Sequence, residues 1–344
     1  MVDLRSDTLT KPNAAMREAI FTAEVGDDVF GEDPNVNRLQ EMMAEITSKE
    51  AALFVASGTM GNQICIKTHT QPGNEIIVEH NSHLYNYESG APALLSHIQV
   101  MPVQGVRGSF TREQVEQVIR PLNVHHPKTA LVCIENTHNR SGGTIFPFEE
   151  IKRISDLAKE KQIKLHIDGA RLWNASVATG IPIKKYCELA DSVSMCFSKG
   201  LGAPVGSIIL GTHQFIEHAR YYRKAFGGGM RQAGILAAAA IYAIENQVDR
   251  LAEDHRRAKI LGEFIQTLPG IEFDRESLQT NIVIFNVKNS GKSGQQVVEL
   301  LARKGVKMLT FAGTKMRAVT HLDISDDDIQ KAMSVLGGIF ITKS

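Results

Sequence analysis

The chain has 344 residues, 43% of them hydrophobic, with 38 acidic and 38 basic side chains. That is enough for one large domain plus a smaller one, and the balanced charge excludes an electrostatic footprint for nucleic acid or an anionic membrane. Cys65, Cys133, Cys187 and Cys196 are scattered with no C-x-x-C spacing, which predicts free buried thiols and no metal site.

The opening "MVDLRSDTLTKP" is charged and lacks the apolar core of a secretion signal. The longest strongly apolar run, "ILAAAAIYAI" at 235–244, is too short to span a bilayer. A cytoplasmic α/β protein is therefore expected. In "DPNVNRLQEMMAEITSKE", Asp33 suits a helix N-cap, Pro34 suits the first turn, and Val36, Leu39, Met43 and Ile46 share a face. "ALFVAS" predicts a strand, followed by the small residues "SGTMGN" leading into a helix. Backbone N–H groups of such a turn suit an anion, and Ser57 and Thr59 flank Gly58 with hydroxyls; an ordinary strand–helix turn accounts for the same residues.

"EIIVEH" predicts the next strand and delivers His83 just beyond its end, where a lone histidine needs partners before it carries chemistry. "HIQVMPV" and "TALVCIEN" add two more. Pro147 starts a helix whose stripe is Ile151, Ile154, Leu157 and Ala158. "KLHIDG" ends at Asp168, with Arg171 three residues on. A carboxylate leaving an apolar strand needs a cationic partner or a function, and an Asp168–Arg171 pair is the structural alternative. "SVSMCFS" then ends at Lys199, and "GSIILG" follows. Strands without clean polar alternation, separated by amphipathic helices, predict a largely parallel sheet covered on both faces, with ligands beyond the carboxyl ends of the strands. From about residue 246 the pattern changes to a long polar helix at 245–268, "TNIVIFNV", a helix at 294–304, two further β-rich runs and a final helix. This divides the chain into a large domain at 1–245, including the N-terminal segment, and a small α+β domain at 246–344.

An anion-binding turn at 57–59, a strand-end carboxylate at Asp168 and a strand-end amine at Lys199 together suit pyridoxal 5′-phosphate. Its phosphate needs backbone donors, its pyridine nitrogen an acid partner, and its aldehyde a lysine.

The segments "DLRSDT", "GDDVFGEDP", "SGTMGN", "NSH", "ENTHN", "HIDGARLWNA", "FSKGLGAPVGS", "GGGMRQAG" and "RAVTHLD" run in order from residue 3 to about 323. They resemble the low-specificity L-threonine aldolase family, fold-type-I pyridoxal-phosphate enzymes of the aspartate aminotransferase superfamily. The resemblance implies a large domain with a mainly parallel seven-stranded sheet flanked by helices, plus a small C-terminal α+β domain. It makes Lys199 the Schiff-base lysine, Asp168 the partner of the pyridine nitrogen, and Gly58 and Thr59, beside Ser57, the phosphate cradle. Arg231 becomes a phosphate contact that can come from a neighbouring subunit. Arg171 stands near the cofactor's phenolic oxygen and the substrate carboxylate, which Ser6 and Arg317 also hold. His83 stacks on the ring, and the second active-site histidine falls on His125 or its neighbour His126, the count to the next strand favouring His125; His83 or His125, directly or through a water, is the candidate base. The implied reaction is retro-aldol cleavage of L-threonine, L-allo-threonine and related β-hydroxy-α-amino acids to glycine and an aldehyde, in a homotetramer of dimers that share active sites. Another pyridoxal-phosphate reaction on the same scaffold (β-elimination, racemisation or transamination) is the alternative, and a non-catalytic amino-acid sensor a more distant one.

Overall fold

The apolar runs pair as their composition demands. In the computed structural model, which describes residues 1–311 and 313–341, the strands in chain order are β1 (Val2–Asp3), β2 (Ala51–Val55), β3 (Glu75–Glu79), β4 (Gln99–Val103), β5 (Thr129–Glu135), β6 (Lys164–Gly169), β7 (Ser192–Cys196), β8 (Ser207–Gly211), β9 (Ile282–Asn286), β10 (Val306–Lys307), β11 (Leu309–Phe311) and β12 (Lys315–Val319). Seven of them form one sheet in the order β2-β8-β7-β6-β5-β3-β4. The pairs among β3 to β7 are parallel, and β8 is antiparallel to both β7 and β2. Six strands therefore run the same way, and their carboxyl ends share one edge. The residues singled out after β2, β3, β6 and β7 all leave the sheet along that edge.

Helices cover the sheet as their stripes require. Asp33 caps helix Pro34–Thr47 by accepting from the backbone of Asn35 and Val36, and Val36, Leu39 and Met43 are buried. Helix Phe148–Glu160 buries Ile151, Ile154, Leu157 and Ala158. Helix Gly58–His69 leaves β2 at the sheet edge and packs across β8, β7 and β6. That path carries its polar residues under the strand ends. All four cysteines are free and buried. Among the described residues no helix is long and apolar enough to cross a membrane.

A second hydrophobic cluster gathers around the antiparallel sheet β11-β12-β9 and includes Leu261, Phe285, Leu301, Met316 and Leu336. Two details differ from the sequence reading. The expected long helix at 245–268 is broken into Gly234–Gln247 and Leu251–Gln266; the break seats Leu251 against Gly200, where a Cβ would lie 2.8 Å from its Cδ2. The opening residues Val2 and Leu4, expected with the large domain, are buried in the second cluster. There β1 pairs in parallel with β10, and the Leu4 carbonyl accepts from the Val319 amide at 2.8 Å. The segment then returns toward the large sheet.

Candidate active site

Asp168 closes β6 and is 4% exposed. Its Oδ1 accepts from the Ala170 amide at 3.1 Å, and its Oδ2 from the Asn62 Nδ2 amide at 2.9 Å. The same Asn62 nitrogen donates to Glu88 Oε1 at 2.8 Å, while Gln63 donates to the other Glu88 oxygen at 2.6 Å. Glu88 in turn holds His83, its Oε1 lying 3.0 Å from Nδ1. A carboxylate acceptor fixes the proton on Nδ1 and leaves Nε2 as the unengaged nitrogen. Burial opposes charge on His83, but the hydrogen bond to Glu88 and the Asp168 and Glu135 charges outweigh it and raise its pKa above the ordinary imidazole value. His83, Glu88 and Asp168 place one ligand atom each within 4.8 Å of one another. The Asn62 amide protons already lie between the two carboxylates, so the cluster is a hydrogen-bond network.

The network continues inward with defined polarity. Asn62 Oδ1 accepts from Ser194 at 2.6 Å and meets His166 Nε2 at 3.2 Å. With both Asn62 donors spent on carboxylates, His166 must carry its proton on Nε2, so Nδ1 accepts from Ser192 Oγ at 2.9 Å. Ser192 then accepts from His69 Nε2 at 2.8 Å. Burial lowers the His166 pKa to about 4; burial and the neighbouring His166 lower that of His69 to about 3. Both stay neutral, which the donor–acceptor order requires.

On the other side lies Lys199, three residues beyond β7. Its amine makes no hydrogen bond or ion pair among the described residues. Its carbonyl accepts from Thr10 Oγ1 at 3.1 Å. Arg171 does not pair with Asp168. Its Nε and Nη2 form a two-pronged bond to Asp7, both at 2.7 Å, with the Arg171 side chain 6% exposed and Asp7 fully buried. Asn281 of β9's lead-in also donates to Asp7 at 3.2 Å. Burial pushes the Asp7 carboxyl up, yet the Arg171 and Lys199 charges hold it well below the usual range. Arg317, on β12, donates to Asn139 Oδ1 at 3.0 Å and to the Arg5 carbonyl at 3.2 Å, next to Ser6. Burial, reinforced by the Arg171 charge, lowers its pKa to about 10. Ser6 itself caps the short turn Asp7–Leu9 through Thr8.

Ser57 caps helix Gly58–His69 by accepting from the Met60 amide at 3.2 Å. The Gly58 and Thr59 amides, at the first two helical positions, have no intrahelical acceptor and remain available to an anion. A Cβ on Gly58 would lie 2.9 Å from Cys196 Sγ, so the turn must pack tightly on β7.

Two expected residues lie elsewhere. His125 is exposed in the stretch before β5, where its amide bonds Asn123. That is the edge where the parallel strands begin, opposite Asp168 and Lys199, so the chain does not bring His125 to its own site. The reason is local: Pro121 and Pro127 confine 122–126 to a loop that enters β5. Arg231 pairs with Asp27 at 3.0 Å and is 56% exposed. The acids of "GDDVFGEDP" are structural: Asp28 forms a buried pair with Arg223 at 2.6 Å, and Asp33 accepts from the Gly234 amide at 2.8 Å.

Asn62, Glu88 and Asp7 belong to the site but were not singled out from sequence. Glu135 also does structural service there, accepting from the His83 amide at 2.6 Å and the Asn139 amide at 2.8 Å. It thereby links the histidine side to the residue that holds Arg317.

Residues 3–288 match the beta-eliminating lyase family. A probable low-specificity L-threonine aldolase 2 of Arabidopsis thaliana is 43% identical, covering 98% of this chain and 97% of its own. The low specificity L-threonine aldolase of Escherichia coli K12 is 41% identical over 96% of both chains. The chain belongs to this family. Among solved structures, a threonine aldolase of Leishmania major superposes with a TM-score of 0.85 at 20% identity, covering 98% of this chain and 99% of that one. At that identity the match speaks to the fold, which is the fold-type-I architecture.

Proposed function

We propose that this protein is a pyridoxal 5′-phosphate-dependent aldolase that cleaves L-threonine, L-allo-threonine and related β-hydroxy-α-amino acids to glycine and an aldehyde. The observation that carries the reading is the convergence, at one sheet edge, of an unpaired lysine amine, a buried strand-end carboxylate with spare acceptor capacity and a helix N-terminus with two unpaired amides. These features fit the cofactor's aldehyde, ring nitrogen and phosphate. When bound, the cofactor would supply an electrophilic aldehyde and a ring that takes up the electron pair released at Cα.

Each side chain then has a task. Lys199 would hold the cofactor's aldehyde. Asp168, oriented by Asn62 and Ala170, keeps the proton on the ring nitrogen. Gly58 and Thr59 donate to the phosphate, with Ser57 beside them. Arg317 and Ser6 hold the substrate carboxylate, and Arg171 adds the nitrogen that Asp7 leaves free. That grip sets which bond at Cα stands across the ring, and orientation of this kind is a catalytic term. His83, with Nδ1 committed to Glu88, takes the β-hydroxyl proton on Nε2. The exposed Arg231 and the exposed apolar residues Phe21, Phe30, Leu122 and Val124 support assembly into a homo-oligomer whose chains complete one another's sites. A cytoplasmic location and a small domain starting near residue 246 complete the reading.

The test is incubation of the purified protein with pyridoxal 5′-phosphate and L-threonine. Release of glycine and acetaldehyde is the expected result. Release of 2-oxobutanoate and ammonia, or a requirement for a keto acid, would replace the aldolase reading with β-elimination or transamination.

A further inference from the structure

Arg140 carries a charge that no ion pair among the described residues neutralises. It follows Asn139 in the loop after β5, and its guanidinium lies between two rings, 4.3 Å from the Phe311 centroid and 5.5 Å from that of Tyr87. Rings engage the faces of a guanidinium and leave its N–H donors radiating in the plane. No side-chain donor of Arg140 bonds an acceptor among the described residues. The carboxylates of the adjoining cavity are already taken: Asp274 by Arg107 at 2.7 Å, and Glu272 by Lys288 at 2.9 Å.

Arg140 lines a cavity of about 240 Å³ whose wall also includes His83, Tyr87, Asn139, Phe311 and Arg317. Two guanidiniums therefore share one small space, and Arg140 is among the charges that depress the Arg317 pKa. One anion relieves Arg317, the α-carboxylate of the proposed substrate. A second is needed for Arg140. Because His83 shares the cavity, the group that reaches Arg140 is the one attached to the carbon bearing the hydroxyl. Threonine puts a methyl there, which offers a guanidinium nothing.

We propose that Arg140 makes this cavity a subsite for a carboxylate on Cβ, so that the protein also cleaves L-3-hydroxyaspartate to glycine and glyoxylate. The inference rests on the aldolase reading and extends its substrate class. The reaction balances without a co-reactant. The Cα–Cβ bond breaks, its electron pair stays on Cα and is protonated to give glycine; the β-hydroxyl loses its proton as the C=O of glyoxylate forms. Arg140 binds the β-carboxylate in the two-pronged manner suited to a planar fork.

The experiment compares threonine and the threo and erythro forms of L-3-hydroxyaspartate on the loaded enzyme, reading acetaldehyde and glyoxylate. Glyoxylate release is expected, and in Arg140→Gln the ratio of kcat/KM for hydroxyaspartate to that for threonine should fall about 10- to 100-fold, the range for a hydrogen bond to a charged group. A second readout needs no turnover. Calorimetric titration of the loaded enzyme should show succinate binding about tenfold or more tighter than butyrate, with the preference lost in Arg140→Gln. Threonine cleavage without glyoxylate release overturns the subsite and leaves the aldolase reading standing. An unchanged substrate ratio in the variant, or equal binding of succinate and butyrate, overturns the role of Arg140. Cleavage of neither substrate overturns the aldolase reading and this inference with it.

Discussion

The two walls of the site are built on opposite plans. On the Asp168 wall the polar groups around the carboxylate are joined to one another: Asn62, Glu88, Gln63, His83, Ser194 and His166 form one chain of hydrogen bonds, with Gln63 Oε1 and His83 Nε2 the atoms it leaves over. On the opposite wall cations outnumber acceptors. Lys199, Arg171 and Arg317 all lie within reach of the charge of one buried carboxylate, Asp7, Arg140 adds a fourth cation beside Arg317, and among the described residues Arg317 Nε has no partner. The first wall is organised before any ligand arrives and has nothing to rearrange. The second is left short of negative charge, so an anionic ligand gains there what the protein withholds. Preorganisation serves the electron sink; deficit serves binding.

Several measurements would break or sharpen that contrast. The largest effect falls on the cation-rich wall: Lys199→Ala should lose turnover by about 10⁴-fold or more and lose the visible band that borohydride reduction traps, while still folding. Retention of that band in the variant would remove Lys199 from its role. Next comes the one acceptor on that wall. Asp7→Ala strands Arg171 in the interior, at a cost of about 3–5 kcal/mol, read as a lowered urea midpoint at pH 7. A midpoint within error of the parent would mean that the pair contributes nothing.

The saturated wall is tested by acid. His69 and His166 are neutral when folded, burial lowering their pKa values to about 3 and about 4. The unfolded chain takes up protons on them below about pH 6.5, so stability is fully present above that pH and falls as the pH drops toward 4. A melting series from pH 7 to 4 should show the decline, shallower in His166→Gln; a flat profile contradicts the neutral chain. A smaller effect is expected from Glu88→Gln. It removes the charge that raises the His83 pKa, so the acid limb of kcat/KM against pH should move to lower pH. An unmoved limb would take His83 out of the proton transfer. Smallest of all, His125→Ala lies on neither wall, and its melting temperature should match the parent, since exposed substitutions stay within about 0.5 kcal/mol. A loss of turnover at unchanged stability would then put His125 to work in a neighbouring chain's site.

What the sequence revealed follows the same division. The seven strands, their shared edge and the delivery of Asp168 and Lys199 were legible because apolar runs and strand ends are local signals. Partners were not. Asp7 and Arg171 are 164 positions apart, and Asn62 and Asp168 are 106 apart; only the closed sheet makes them neighbours. Adjacent numbering suggested Asp168 with Arg171, and the fold gives each a different companion. Asn62 and Gln63 sit in a helix whose apolar residues dominate its pattern, and Glu88 lies past two tyrosines in a loop, so neither announced itself. Arg317 and the substrate-side role of Arg171 emerged from resemblance, and Asp7 went unremarked inside the quoted "DLRSDT".

The strap formed by residues 2–10 also orders events in time. Its first strand pairs with residues 306 and 307, Leu4 meets Val319, and Asp7 and Thr10 reach Arg171 and Lys199. On the ribosome residues 2–10 therefore wait for residues 306–319 before they dock. The large sheet can pair while translation continues, but Arg171 lacks its counter-charge until residues 306–319 have emerged. Contacts between such distant segments form late because closing the loop between them comes first. A nascent chain arrested before residue 306 should hold a folded sheet without an assembled site, so catalytic competence arrives after the sheet and separately from it.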